Sequence, residues 1–167
     1  PDSRLDKLLL QIDANLEASL KRLMALLKIP SIGTDPKYAA SCQKAAQWLL
    51  KEFRSMGFEA AIHPTTGQPV VLATYVPPGR SKHLPHILFY GHYDVQPSVP
   101  EELWTSPPFA PVIRKSRNGR DAVFARGAAD DKGQLMTFVE ASRAWLKANK
   151  SLPFRLTILI EGDEEGD

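Results

Sequence analysis

Two short segments constrain this chain more than anything else in it: HILFYG at residues 86–91 and RLTILIEG at residues 155–162. The first is apolar without interruption from Ile87 to Tyr90, the second nearly so, and each runs straight into glycine and charged residues. Runs this short suit strands rather than helices, and the lack of alternation at 86–90 predicts a central strand buried on both faces. Such strands need helices to cover them, and the chain supplies candidates. Leu5, Leu8, Leu9, Ile12, Leu16, Leu20, Leu23, Met24 and Leu27 recur every three or four residues between Ser3 and Pro30, the pattern of a long amphipathic helix. A second helix is predicted over 38–56, with Cys42, Ala45, Ala46, Leu49, Leu50 and Phe53 on one face and Gly57 as its stop. A third is predicted over 132–147.

Residues 60–62 and 70–75 read as adjacent strands around a turn at 64–69, and residues 77–82 as a loop. Residues 95–111 hold five prolines and no periodicity, so an extended loop is expected there, with Trp104 and Phe109 as its apolar anchors. A strand pair should follow around Asn118 and Gly119. Alternating strands and helices in this order imply one α/β domain, a mixed sheet with helices on its faces.

With 21 basic and 19 acidic residues spread evenly, the chain offers no basic stripe for nucleic acid or an anionic membrane. No apolar run approaches the ~18 residues of a membrane span, and the start lacks the features of a signal peptide. The lone Cys42 sits on the apolar side of a helix, where a packed thiol is expected; a reducing compartment and a cytoplasmic location fit. The chain starts without Met and stops at Asp167 inside an acidic, glycine-rich segment, as expected of a fragment.

Ligands in α/β sheets collect beyond the carboxyl ends of the strands, and three polar clusters fall there. His92 and Asp94 follow the first run at a spacing that lets a carboxylate orient an imidazole. As an isolated string H-x-D is short and common, and taken alone it favours a solvated strand end. Asp130 and Asp131 adjoin the start of the third helix, where one acidic N-cap would have sufficed. Glu164 and Glu165, with Glu161 and Asp163 nearby, crowd negative charge after the second run. Unless the loop is simply solvated, such crowding calls for a cation or a raised carboxylate pKa. Histidine and carboxylates without cysteines suit a catalytic site for zinc, manganese or cobalt better than a structural zinc site.

The strings FYGHYDVQP, LWTSPPFAP, ARGAADDKGQ and LTILIEGDEEG, in this order, resemble the M20 family of dizinc peptidases and deacylases, especially its dipeptidase and carnosinase-like branch. The resemblance spans residues 86–167 and extends to the first two helices. It implies a zinc-peptidase-like catalytic domain, of which residues 1–167 would be the N-terminal portion, without the rest of that domain or the lid and dimerisation domain. It further implies two divalent ions, zinc first, with manganese and cobalt as alternatives. His92, Asp130 and Glu165 would be metal ligands, with Asp130 bridging both ions across a cis Asp130–Asp131 bond. Asp94 would be the carboxylate behind His92, and Glu164 the general base.

The implied reaction is hydrolysis of a peptide bond in a dipeptide or small peptide by a metal-activated water. N-acyl-amino-acid deacylation and a metal-binding domain without turnover are the alternatives; a two-metal phosphoesterase would want a phosphate-cradling glycine loop. A full-length homodimer is implied, and the 167 residues alone are expected to lack appreciable activity. His63, His83 and His86 match no motif and are read as surface or packing residues.

Overall fold

The computed structural model describes residues 3–79 and 83–166, so the end of the loop expected at 77–82 and the last acidic residue lie outside the described part. Helix α1 spans Ser3–Leu27, α2 Ala39–Ser55 and α3 Lys132–Asn149. The second helix begins a residue later than its periodicity predicts. Pro36, pre-set for a first turn, opens a 3-10 segment at Pro36–Tyr38, and the Asp35 side chain caps it by accepting from the Lys37 N–H at 3.0 Å. Gly57, at φ +87°, ends α2 as expected.

Strands β1 (Glu59–His63), β2 (Val70–Tyr75), β3 (His86–His92) and β6 (Arg155–Glu161) form one mixed sheet in the order β1-β2-β6-β3. β1 pairs with β2 and β2 with β6 antiparallel, whereas β3 and β6 run parallel. β4 (Val112–Lys115) and β5 (Asp121–Phe124) make a separate antiparallel ribbon around Gly119, whose φ of +77° suits the tight turn read from Asn118-Gly119.

Burial alternates along β2 and β6. Val71, Ala73, Tyr75, Leu156, Ile158 and Ile160 are buried in one cluster with Leu49 and Phe53 of α2 and Leu135, Met136 and Val139 of α3. The strand register therefore puts both helices on the same sheet face, and α1 stacks on α3 from outside. The prediction that residues 86–90 form a central strand buried on both faces is not met. Among the described residues β3 pairs only with β6, and Leu88 and Tyr90 are 66% and 50% exposed on the face away from the helices. An apolar run signals a strand, but the number of its neighbours depends on which other segments reach it.

The α1–α3 seam contains a bidentate pair. Glu140 accepts from Arg22 Nε and Nη2, both at 2.6 Å, and from Ser19 Oγ at 2.8 Å. Burial alone would raise the Glu140 carboxyl, but the bonds from Arg22 and Ser19 and the charge of Arg143 outweigh it and hold it below the ordinary glutamate value. A depressed folded-state pKa contributes stability above the unfolded-state value of 4.5 and loses it as pH falls through the folded-state value. Glu140→Gln is accordingly expected to cost about 1–3 kcal/mol near neutral pH and to flatten the loss of stability on acidification. Urea unfolding at neutral pH and at about pH 3 measures both; unchanged neutral-pH stability would show that the pair contributes nothing.

Candidate metal centre

Because β3 and β6 run parallel in register, with His92 opposite Glu161, the segments leaving their carboxyl ends emerge side by side. The Tyr93 N–H donates to Glu161 O at 2.9 Å, and the Tyr93 hydroxyl to Pro69 O at 2.7 Å, which extends the pairing and pins the turn. Gly162 is required by this approach, since a Cβ there would lie 2.2 Å from the Tyr93 ring and hydroxyl. Gly33 is required in the same way, as its Cβ would lie 2.9 Å from Asp94 Oδ2.

Asp94 is fully buried and organises both segments. Its Oδ1 lies 3.2 Å from His92 Nδ1, and its Oδ2 accepts from the Glu165 N–H at 2.9 Å. With Nδ1 so engaged, His92 turns Nε2 toward Asp130 Oδ1 at 3.2 Å and Glu164 Oε2 at 3.6 Å. One ligand atom each from His92, Glu164 and Glu165 fall within 4.8 Å of one another. Asp130 meets the same imidazole nitrogen from the opposite segment, with its side chain 73% exposed, and stands outside that three-residue cluster.

Asp130 and Asp131 point in different directions across a cis peptide bond, the geometry that the family resemblance implied. Asp131 holds the N-cap position of α3, yet its side chain makes no cap bond; Oδ2 instead accepts from the His92 N–H at 3.2 Å. A simple acidic N-cap therefore does not account for the pair.

Burial by itself would push the His92 imidazole down, but the Asp94 bond and the charges of Asp94, Asp131 and Glu164 outweigh it and raise it to about 9. The chemistry of the donor set fits a divalent ion: an imidazole with one nitrogen fixed and the other facing carboxylates, in a concentration of negative charge that a cation offsets. Cys42 is no competing nucleophile. It is fully buried in the core, and burial raises its thiol to about 11.

Sequence reading missed three participants. Gln96, within the string FYGHYDVQP, donates from Nε2 to Glu165 Oε2 at 2.7 Å and so orients that carboxylate. Nothing in its spacing distinguishes it from a loop residue. Arg126 anchors the long loop: it donates from Nη2 to Pro97 O at 3.1 Å and from its backbone N–H to Pro108 O at 2.8 Å, and its guanidinium lies 5.0 Å from the Trp104 ring centre. Trp104, expected as an apolar anchor of the loop, is partly buried and meets a cation. Lys132, at a helix start where solvent exposure would be ordinary, is fully buried, and burial lowers its ammonium to about 7. Of the remaining histidines, His63, His83 and His86 lie on the surface, His86 with Nε2 2.8 Å from Thr157 Oγ1.

Solved structures match this fold over nearly the whole chain. The dipeptidase Dug1p from Saccharomyces cerevisiae superposes with a TM-score of 0.83 at 26% identity, over 97% of this chain and 35% of its own. The model of peptidase family M20/M25/M40 matches residues 88–167. The Cys-Gly metallodipeptidase of Schizosaccharomyces pombe is 30% identical over 96% of this chain and 34% of its own length. A succinyl-diaminopimelate desuccinylase of Dechloromonas aromatica is 35% identical over 71% of this chain and 29% of its own. The chain thus spans about a third of the length of these relatives.

Proposed function

We propose that this chain forms the N-terminal portion of the catalytic domain of a dizinc dipeptidase and carries part of its hydrolytic centre. The observation that carries the reading is the convergence of one ligand atom each from His92, Glu164 and Glu165 within 4.8 Å, with Asp130 Oδ1 3.2 Å from His92 Nε2. His92, Asp130 and Glu165 would hold the ions. Bound there, two divalent ions would supply Lewis acidity toward an amide carbonyl and ease the ionisation of a water molecule.

The chain's own residues do the remaining work. Asp94, dry and fixed by two contacts, keeps His92 in the tautomer that presents Nε2, and by holding the Glu165 N–H it ties the two ligand segments together. Gln96 fixes the rotation of Glu165. Glu164, partly exposed beside the imidazole, is free to take a proton from the attacking water and hand it to the leaving amine.

Support for a dipeptide substrate comes from the relatives named as dipeptidases; the desuccinylase relative supports N-acyl-amino-acid deacylation as the second reading. Zinc, a homodimeric whole protein and a cytoplasmic location complete the proposal; among the described residues no helix is long and apolar enough to cross a membrane.

The test is an assay of the protein expressed from its complete reading frame against dipeptides and N-acyl amino acids, in chelator-controlled zinc, manganese and cobalt buffers. Dipeptides are expected to be cleaved with at least about tenfold higher kcat/KM, roughly 1.4 kcal/mol in transition-state binding. A reversed preference would select the deacylase reading. Absence of metal-dependent turnover on either class would overturn both.

A further inference from the structure

Lys132 is the first residue of α3 and directly follows the Asp130–Asp131 pair, yet it points away from the metal centre into the protein, with no exposed surface. Among the described residues no side-chain carboxylate hydrogen-bonds it. Its ammonium donates to two backbone carbonyls, Ile29 O at 2.8 Å and Leu26 O at 3.2 Å, where α1 ends. A helix C-terminus carries partial negative charge, and the last turn of α1 contains no basic side chain of its own; Leu26 O and Ile29 O also accept the N–H groups of Ile29 and Ser31, at 3.1 and 2.9 Å. Lys132 supplies a positive charge to that helix end from another helix. Its stem runs close past Gly127, at φ +80°, whose Cβ would lie 3.3 Å from Lys132 Cδ.

The segment so gripped is also bonded to the other half of the centre. Ser31 Oγ donates to Tyr93 O at 2.7 Å, and the Val95 N–H donates to Ser31 O at 2.9 Å, one bond on each side of buried Asp94. The exit of α1 therefore touches both ligand-bearing segments, the one before α3 through Lys132 and the one after β3 through Ser31. We propose that Lys132 is a positioning residue that sets the spacing of Asp130 from His92 by clamping the start of α3 to the end of α1. This rests on the metal-site reading proposed above, and it assigns Lys132 no contact with substrate or ion.

The test compares zinc affinity, by competition with a chromophoric chelator, and the visible spectrum of the cobalt-substituted protein, in the protein from its complete reading frame and its variants. Lys132→Met, close in length but without donors, is expected to weaken zinc binding about tenfold or more, as loss of a group that orients ligands does, and to shift the cobalt bands. Leu49→Ala, which removes a fully buried core side chain away from the centre, is the control for lost stability and is expected to leave zinc affinity within about twofold.

If Lys132→Met does not fold, Ser31→Ala decides by cutting the far end of the same linkage, with an expected loss of about threefold or more and the same direction of band shift. Parental zinc affinity with unchanged cobalt bands in the deciding variant overturns the proposal, as does equal weakening in Leu49→Ala at matched stability. A parent protein that binds no zinc would instead overturn the metal reading, and this inference with it.

Discussion

Glu164→Gln is expected to reduce turnover by about 10²–10⁴-fold, the range over which a positioned general base contributes, while bound zinc stays near the parental amount. The substitution keeps the shape and hydrogen-bonding length of the side chain but removes its capacity to take up a proton at physiological pH. Glu164 Oε2 lies 3.6 Å from His92 Nε2, and its side chain is 44% exposed, so it stands at the centre without being buried in it. That placement suits a group that must meet water and substrate. Its membership of the three-residue cluster makes the alternative concrete, since a carboxylate at that distance is also within reach of a cation. Parallel measurement of kcat and of metal content separates the two roles. Zinc loss in Glu164→Gln as large as that in a ligand variant would make Glu164 a ligand and leave the base unassigned.

The second large effect is expected at Glu165. Its backbone N–H is held by Asp94 at 2.9 Å and its carboxylate by Gln96 at 2.7 Å, so it is oriented from two sides before any ion arrives. Preorganisation of this kind lowers the cost of assembling a site. Glu165→Ala is expected to weaken zinc binding by at least about 100-fold, at or beyond the upper end of what removing a supporting group costs. Activity should fall with metal content and recover in part at high zinc. Gln96→Ala, which leaves the carboxylate in place and frees its rotation, should fall between Glu165→Ala and the parent. Full zinc retention by Glu165→Ala would remove this residue from the ligand set.

Much of the centre was legible before any tertiary structure. His92, Asp94, Asp130, Glu164 and Glu165 stand out because histidine and clustered carboxylates at the ends of apolar runs have few bland explanations once four strings occur in order. The same logic located the helices, since three- and four-residue periodicity reports burial of one face whatever that face meets. It failed at β3. Apolar residues at 86–90 predict a strand, but only the pairing order shows that among the described residues it lies at an edge, with Leu88 and Tyr90 on a face that no described helix covers.

The chain's sequence by itself determined which segments become strands and helices, and which side chains are chemically able to hold a cation. Both are local properties: periodicity acts over a few residues, and ligand character belongs to the side chain alone. Tertiary structure alone decided the partners. Asp131 reads as a helix cap but serves the His92 backbone; Gln96 reads as loop but holds Glu165; Lys132 reads as a solvated charge but closes the end of a helix 103 and 106 residues away in sequence. A hydrogen bond forms where two groups meet within about 3 Å, and for residues so far apart in the chain that distance is set by the packing of whole elements, which no local pattern records.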